Sequence, residues 1–91
     1  MGKIALQSLS SDLKRIGLSI QRNSLVSAVR FNTEAERWLR ESQKTGDQSI
    51  LKLLEKVENS LQSENDLKKA EDCLMYSTLI QNKTLAFKQT Q

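Results

Sequence analysis

Apolar residues recur at helical spacing in two clearly patterned segments of the chain. In the first segment they lie three and four positions apart, at Leu6, Leu9, Leu13, Ile16 and Ile20. In the second they fall within an arc of about 100° on a helical wheel, at Ile50, Leu53, Leu54, Val57 and Leu61. Each pattern predicts an amphipathic helix that buries one face. Gly17 interrupts the first helix, so either the helix tolerates the lost propensity or another backbone approaches closely there.

Capping residues and glycine indicate where these helices begin and end. Gly46 is suited to the position just after a helix, because glycine adopts positive φ without steric cost, and Asp47 is suited to cap the next helix. Asn23 with Ser24, and the polar residues 63–66, mark two more breaks. We therefore predict helices at about 4–22, 24–44, 47–62 and 66–88 in a single domain, residues 1–91. The sequence leaves open whether the last two helices are continuous.

Residues 25–31 are compatible with two structures. A helix places Leu25, Ala28 and Val29 on one side, whereas a strand points alternate residues to opposite faces. The β-branched content favours a strand, and the scarcity of turn-forming residues favours a helix, which we prefer. Thr33 and Glu36 have capping-box spacing, so they either start a new helix after a kink or lie on the surface of a long one.

The last segment, residues 67–87, is apolar on more than one side. Such a helix contacts more than one neighbour, and we expect one of these to be another chain. Trp38 is a further candidate anchor because Trp and Arg are enriched at binding hot spots and Arg37 is adjacent. The predicted partner-binding residues are Trp38, Met75, Tyr76, Leu79, Ile80 and Phe87.

Composition favours an all-α fold. The chain has 91 residues, no proline and three glycines, whereas all-β and loop-rich chains carry more turn-formers. A chain of this length buries only roughly 60–65% of its unfolded surface. We predict a three- to four-helix antiparallel bundle or a long helical hairpin, oligomeric or bound to a partner.

The sequence offers little for catalysis or metal binding. There is no histidine and only one cysteine, so the chain cannot supply an internal disulfide, a zinc site or a Cys–His nucleophile. The acidic residues lie on faces predicted to be solvated, and no phosphate-binding glycine motif occurs. Cys73 is expected to be a packing residue. We expect no enzymatic activity, no cofactor and no catalytic or metal-binding residues.

The apolar runs are too short for a membrane span or for the core of a signal peptide. We therefore expect a cytoplasmic protein that does not bind membranes. The net charge is +3 and is unevenly distributed. Residues 1–46 hold eight Lys/Arg and four Asp/Glu, a balance of +4, and residues 47–91 hold six and seven, a balance of −1. The basic half includes Arg30, Arg37 and Arg40, which are candidates for contact with nucleic acid.

Residues 26–57 resemble a ribbon-helix-helix DNA-binding domain over about a third of the chain. The resembling features are a short strand ending at Val29, Arg30 and Phe31, a capped helix, a turn at Gly46 and a second helix entered at Asp47. The resemblance implies a homodimer whose paired strands enter the major groove, with Val26, Ala28 and Arg30 directed at bases.

Two functional hypotheses follow. The first is a small, non-enzymatic protein–protein interaction module, such as an adaptor, chaperone-like partner or assembly subunit, that binds another protein or a second copy of itself. The second is a small DNA-binding regulator of the ribbon-helix-helix type that uses the basic N-terminal half.

Overall fold

Four helices account for nearly all of the structure. The computed structural model describes residues 2–45 and 48–89, with the side chains of residues 3–44 and 48–85. The helices are α1 (Gly2–Gln21), α2 (Leu25–Thr45), α3 (Gln48–Leu61) and α4 (Asp66–Gln89), and no strand occurs among the described residues. The predicted all-α class is confirmed. The helix bounds lie within two residues of those expected, and the boundary expected at Gly46 and Asp47 lies outside the described residues.

The helices form an antiparallel bundle in which α1 packs lengthwise against both α2 and α4. The shorter α3 packs against α2 and α4. The two amphipathic stripes seen in the sequence supply most of the buried cluster, and α4 contributes Cys73 and Ile80. The largest fully buried side chains of this cluster include Leu9, Leu13, Ile16, Leu54, Val57 and Ile80.

The turn between α1 and α2 is closed by a left-handed residue. Asn23 has φ of 59°, a conformation that Asn tolerates better than most residues. The N–H of Asn23 donates to Ile20 O at 3.0 Å, and that of Ser24 donates to Ser19 O at 2.8 Å. These two bonds form a Schellman motif, which satisfies carbonyls at the end of α1. The chain therefore reverses direction within three residues.

Residues 25–31 belong to α2 and are helical. The Ser24 carbonyl accepts the Ala28 N–H at 3.0 Å, which starts the helix directly after the turn. Thr33 Oγ1 donates to Val29 O at 3.2 Å, so its hydroxyl lies along a continuous helix and does not cap a new one. The strand interpretation is therefore wrong, and the strand implied by the ribbon-helix-helix resemblance is not formed.

The polar residues between α3 and α4 make a true turn. Asn65 caps α4, because its Oδ1 accepts the Lys68 N–H at 3.1 Å and its backbone carbonyl accepts the Lys69 N–H at 2.8 Å. The Lys69 ammonium reaches back to Leu61 O at 3.0 Å, at the end of α3. This bond satisfies a terminal carbonyl of α3 and fixes its end against α4.

Small residues bring α1 and α4 into close contact. Ser10 Oγ donates to Ser77 O and Ser77 Oγ donates to Ser10 O, each at 2.8 Å. Two helical turns further along α1, Gly17 faces Leu74, and a Cβ built on Gly17 would lie 2.6 Å from Leu74 Cγ and 3.0 Å from Ala70 O. Of the two explanations for Gly17, close approach of another helix is therefore confirmed.

Candidate functional site

The residues predicted to bind a partner are divided between the core and the surface. Ile80 is fully buried in the core, and Tyr76 and Trp38 are partly buried and packed against it. Met75 and Leu79 are 47% and 42% exposed. Ile80 is therefore a core residue in this bundle, and its role in partner binding stays a prediction. The side chain of Phe87 lies outside the described residues.

The apolar sides of α4 are explained largely by its two neighbours within the bundle. One side packs against α1, where Ser77 and Gly17 make their contacts, and Ile80 enters the central cluster. Met75 and Leu79, one turn apart, remain exposed. A surface ion pair between Lys68 and Asp72, at 3.2 Å, lies on the same helix one turn before Met75.

The most exposed apolar surface with several members lies at the start of α2. Val26 and Val29 are 85% and 67% exposed, and Leu25 is about half exposed. These three residues, which we call the α2 apolar patch, occupy the first turn and a half of the helix. They lie outside the buried stripe of α2, which is formed by Ala28, Ala35, Leu39 and Ser42.

An open groove adjoins the α2 apolar patch, and we call it the open trough. It has a volume of about 280 Å³ and lies between the first turns of α2 and α4, next to the end of α1. Its apolar lining comes from Ile20, Leu25, Ala28 and Val29. Asp66 and Lys69 line the α4 side. Asn32 and Thr33 of α2 complete the lining. The trough therefore combines a concave shape with apolar residues and a few polar groups, as binding grooves usually do.

A second groove, of about 400 Å³, lies between α1 and α2 and contains a buried carboxyl group. Asp12 is 2% exposed, and its Oδ1 accepts a hydrogen bond from Arg15 Nη1 at 3.3 Å, while its Oδ2 has no hydrogen-bond partner among the described residues. Burial, and next the negative charge of Glu34, raise the pKa of Asp12 above its ordinary value of 3.8. Arg15 opposes this increase.

The arginines predicted for nucleic-acid contact lie exposed on α2 among acidic residues. Arg40 pairs with Glu36 at 3.7 Å, and the Arg37 guanidinium stacks over the Trp38 ring at 4.5 Å. Arg30 is exposed and makes no ion pair within the described part of the chain. The interleaved glutamates break up the positive ridge that phosphate binding favours.

The chain matches no family model, and the comparisons find no similar curated protein and no similar solved structure. Within the described ranges, none of the helices is long and apolar enough to cross a membrane. The same residues contain no group of three or more acidic or cysteine side chains placed to hold a metal ion.

Cys73 is buried in the central cluster, as the sequence predicts. Burial raises the pKa of its thiol to about 11, Lys69 opposes the shift and Asp72 adds to it. Since the thiolate is the reactive form, we expect a chromogenic disulfide reagent to label native protein about 100-fold more slowly than urea-unfolded protein, or slower still. Equal rates in the two states would contradict this burial. A Cys73→Ser variant supplies the reagent blank.

Proposed function

We propose that this protein is a non-enzymatic interaction module that binds another protein through the α2 apolar patch. The observation that carries the proposal is the exposure of three neighbouring apolar side chains, Leu25, Val26 and Val29, beside an apolar groove. Single exposed apolar residues are common on protein surfaces. A cluster that adjoins a concavity is typical of an interaction site.

The α2 apolar patch is a better candidate than the pair formed by Met75 and Leu79. Val26 and Val29 are more exposed than either residue of that pair. Leu25 and Val29 also line the open trough, so a partner bound there buries apolar surface of α2 and, through Ile20, of α1. More buried apolar area gives a larger hydrophobic contribution to binding. An adaptor, a chaperone-like partner or an assembly subunit could each use such a module. We place it in the cytoplasm, because a chain with a single cysteine needs no oxidising compartment to form an internal disulfide.

The DNA-binding alternative has weaker support. Its proposed major-groove element, residues 25–31, is the beginning of α2. Arg40 is paired with Glu36, and Lys44 with Glu41 at 3.5 Å. Of the arginines proposed for DNA contact, Arg30 and Arg37 remain without an ion pair among the described residues. A strongly salt-dependent affinity for duplex DNA would favour this function.

Site-specific photo-crosslinking tests the proposed function. A benzophenone amino acid replaces Val26 in the full chain, and the matched control carries it at Met75, which is also exposed and helical. After irradiation in an extract of the source cells, we expect a discrete protein adduct from position 26 only. Replacing both Leu25 and Val29 with Gln in the same chain should remove it, because the flanking apolar contacts are lost.

The adduct is identified by mass spectrometry, and the purified partner is then titrated against unmodified protein and against the Leu25→Gln, Val29→Gln variant. Saturable binding that the double substitution weakens supports the module. Identical adduct patterns from positions 26 and 75, or partner binding that is indifferent to Leu25 and Val29, would contradict it. Circular dichroism verifies that the variants keep their helix content.

A further inference from the structure

The open trough continues the space that α3 occupies in the bundle. The apolar face of α3, which includes Ile50, Leu54 and Val57, is buried where α3 packs against α2 and α4. Its last turn lies beside Glu36 and Leu39 of α2, because these residues line one groove with Leu61. Toward the start of α2, the open trough is again lined by α2 and α4, but α3 does not line it.

The length of the uncovered part follows from the helix bounds. α3 has 14 residues, against 21 in α2 and 24 in α4. On α2 the trough is lined from Leu25 to Thr33, a separation of eight residues, which is about 12 Å at the helical rise of 1.5 Å per residue. Lys69 holds the end of α3 through its bond to Leu61 O. Residues 62–65 join α3 to α4, and the uncovered stretch corresponds to about two turns of helix.

We propose that the open trough binds a short amphipathic helix of the partner protein, lying in line with α3. This inference rests on the proposed function and specifies the structural class of the partner. The two helices that α3 contacts, α2 and α4, also line the trough, α4 through its first turn, and Ile20 of α1 completes the lining. Leu25 and Val29, one turn apart, would contact the apolar face of such a helix, as the walls of a hydrophobic groove do in helix-in-groove complexes.

The charges on the α4 rim specify a feature of the partner helix. Asp66 is exposed, and its carboxylate makes no ion pair within the described part of the chain. The neighbouring Lys69 ammonium is already bonded to Leu61 O. Lys69 keeps its positive charge on the same rim, so the feature that Asp66 specifies is local: it is available to pair with a Lys or Arg at the edge of the apolar face of the partner helix. α3 itself has this character, since Lys52 and Lys56 accompany its apolar residues.

A synthetic peptide with the sequence of residues 48–61 is a suitable probe. We expect fluorescence anisotropy of the labelled peptide to show saturable binding to the full chain. Replacing both Leu25 and Val29 with Gln should weaken it about tenfold, equivalent to about 1.4 kcal/mol. Asp66→Asn should weaken it about twofold to fivefold at low salt and less at high salt, as for an exposed ion pair. The matched control, with Met75→Gln and Leu79→Gln, should bind as the parent does.

Three outcomes would overturn this inference. Absence of saturable peptide binding is the first. Peptide binding that ignores the Leu25 and Val29 substitutions is the second, because it places the peptide elsewhere, for example in exchange with α3. Binding of the full chain to phosphatidylserine-containing vesicles that the same double substitution abolishes, without peptide binding, is the third, because it assigns the surface to a membrane.

The failure of the inference is distinguishable from that of the proposed function. If position 26 crosslinks to a partner but the crosslinked segment of that partner is not helical, the interaction module stands and the helical occupant is wrong. If neither a specific adduct nor peptide binding is found, both fail. The peptide titration and the crosslink therefore report on separate statements.

Discussion

Replacing Gly17 with valine is expected to lower the free energy of unfolding by about 2–3 kcal/mol, since overpacking a close-packed interface typically costs about 1–3 kcal/mol. The new Cβ would lie 2.6 Å from Leu74 Cγ and 3.0 Å from the Ala70 carbonyl oxygen. Leu74 can rotate away, but the carbonyl belongs to the backbone of α4, so α1 and α4 must separate. A chain of this size should then melt roughly 10–20 °C lower.

Urea unfolding followed by circular dichroism measures this change. Lys14→Val is the matched control, because it places the same β-branched residue at an exposed position of α1. In a Leu74→Ala background the Gly17→Val cost should shrink but not vanish, because the Ala70 carbonyl remains. A cost equal to that of Lys14→Val, or no coupling with Leu74, would show that the close approach of α1 and α4 is not what glycine serves.

Gly17 also illustrates what the sequence determined about this fold. Periodic apolar residues predicted the helices, because burial of one face is a local property of the chain. They did not distinguish a tolerated glycine from one required by packing, since that depends on residues more than fifty positions later. The break between α1 and α2 was predictable from Asn23 and Ser24, because Asn and Ser favour turns through bonds to the local backbone.

The candidate site was less predictable, for a geometric reason. A helical wheel gives the direction of a side chain but not which neighbour fills that direction. Ile80 therefore looked like surface, whereas it enters the core, and Val26 and Val29 were ambiguous. The open trough depends on where α3 ends relative to α2 and α4. Residues 25–33, which line the trough on α2, carry no information about the length of α3. The useful signal was the short α3 pattern, 14 residues against 21 in α2.

Replacing Asp12 with asparagine is expected to stabilise the protein by about 1–3 kcal/mol at neutral pH, the order of the desolvation penalty of a buried polar or charged group, because the substitution removes a buried charge. Asp12 is almost fully buried, and its Oδ2 lacks a hydrogen-bond partner among the described residues. Asparagine keeps an oxygen that accepts from Arg15 and removes a charge that burial and Glu34 both oppose.

The gain should depend on pH in a defined direction. Because the pKa of Asp12 is raised in the folded protein, the folded state holds this proton more tightly than the unfolded chain. Its contribution to stability is therefore fully present below the ordinary value of 3.8 and is lost as pH rises through the raised value. The advantage of Asp12→Asn should be smallest in acid and grow toward neutral pH.

Urea titrations of the parent and of Asp12→Asn across this pH range measure the difference directly. Glu34→Gln should remove only part of the pH dependence, because burial contributes more than Glu34 to the raised pKa. Asp72→Asn is the control: it replaces an acid near the surface that pairs with Lys68, so its loss costs about 0–1 kcal/mol and gives no stabilisation. A constant difference between Asp12→Asn and the parent at every pH would contradict the buried, proton-holding carboxyl. A parent chain that gains stability relative to the variant as pH rises would reverse the sign altogether.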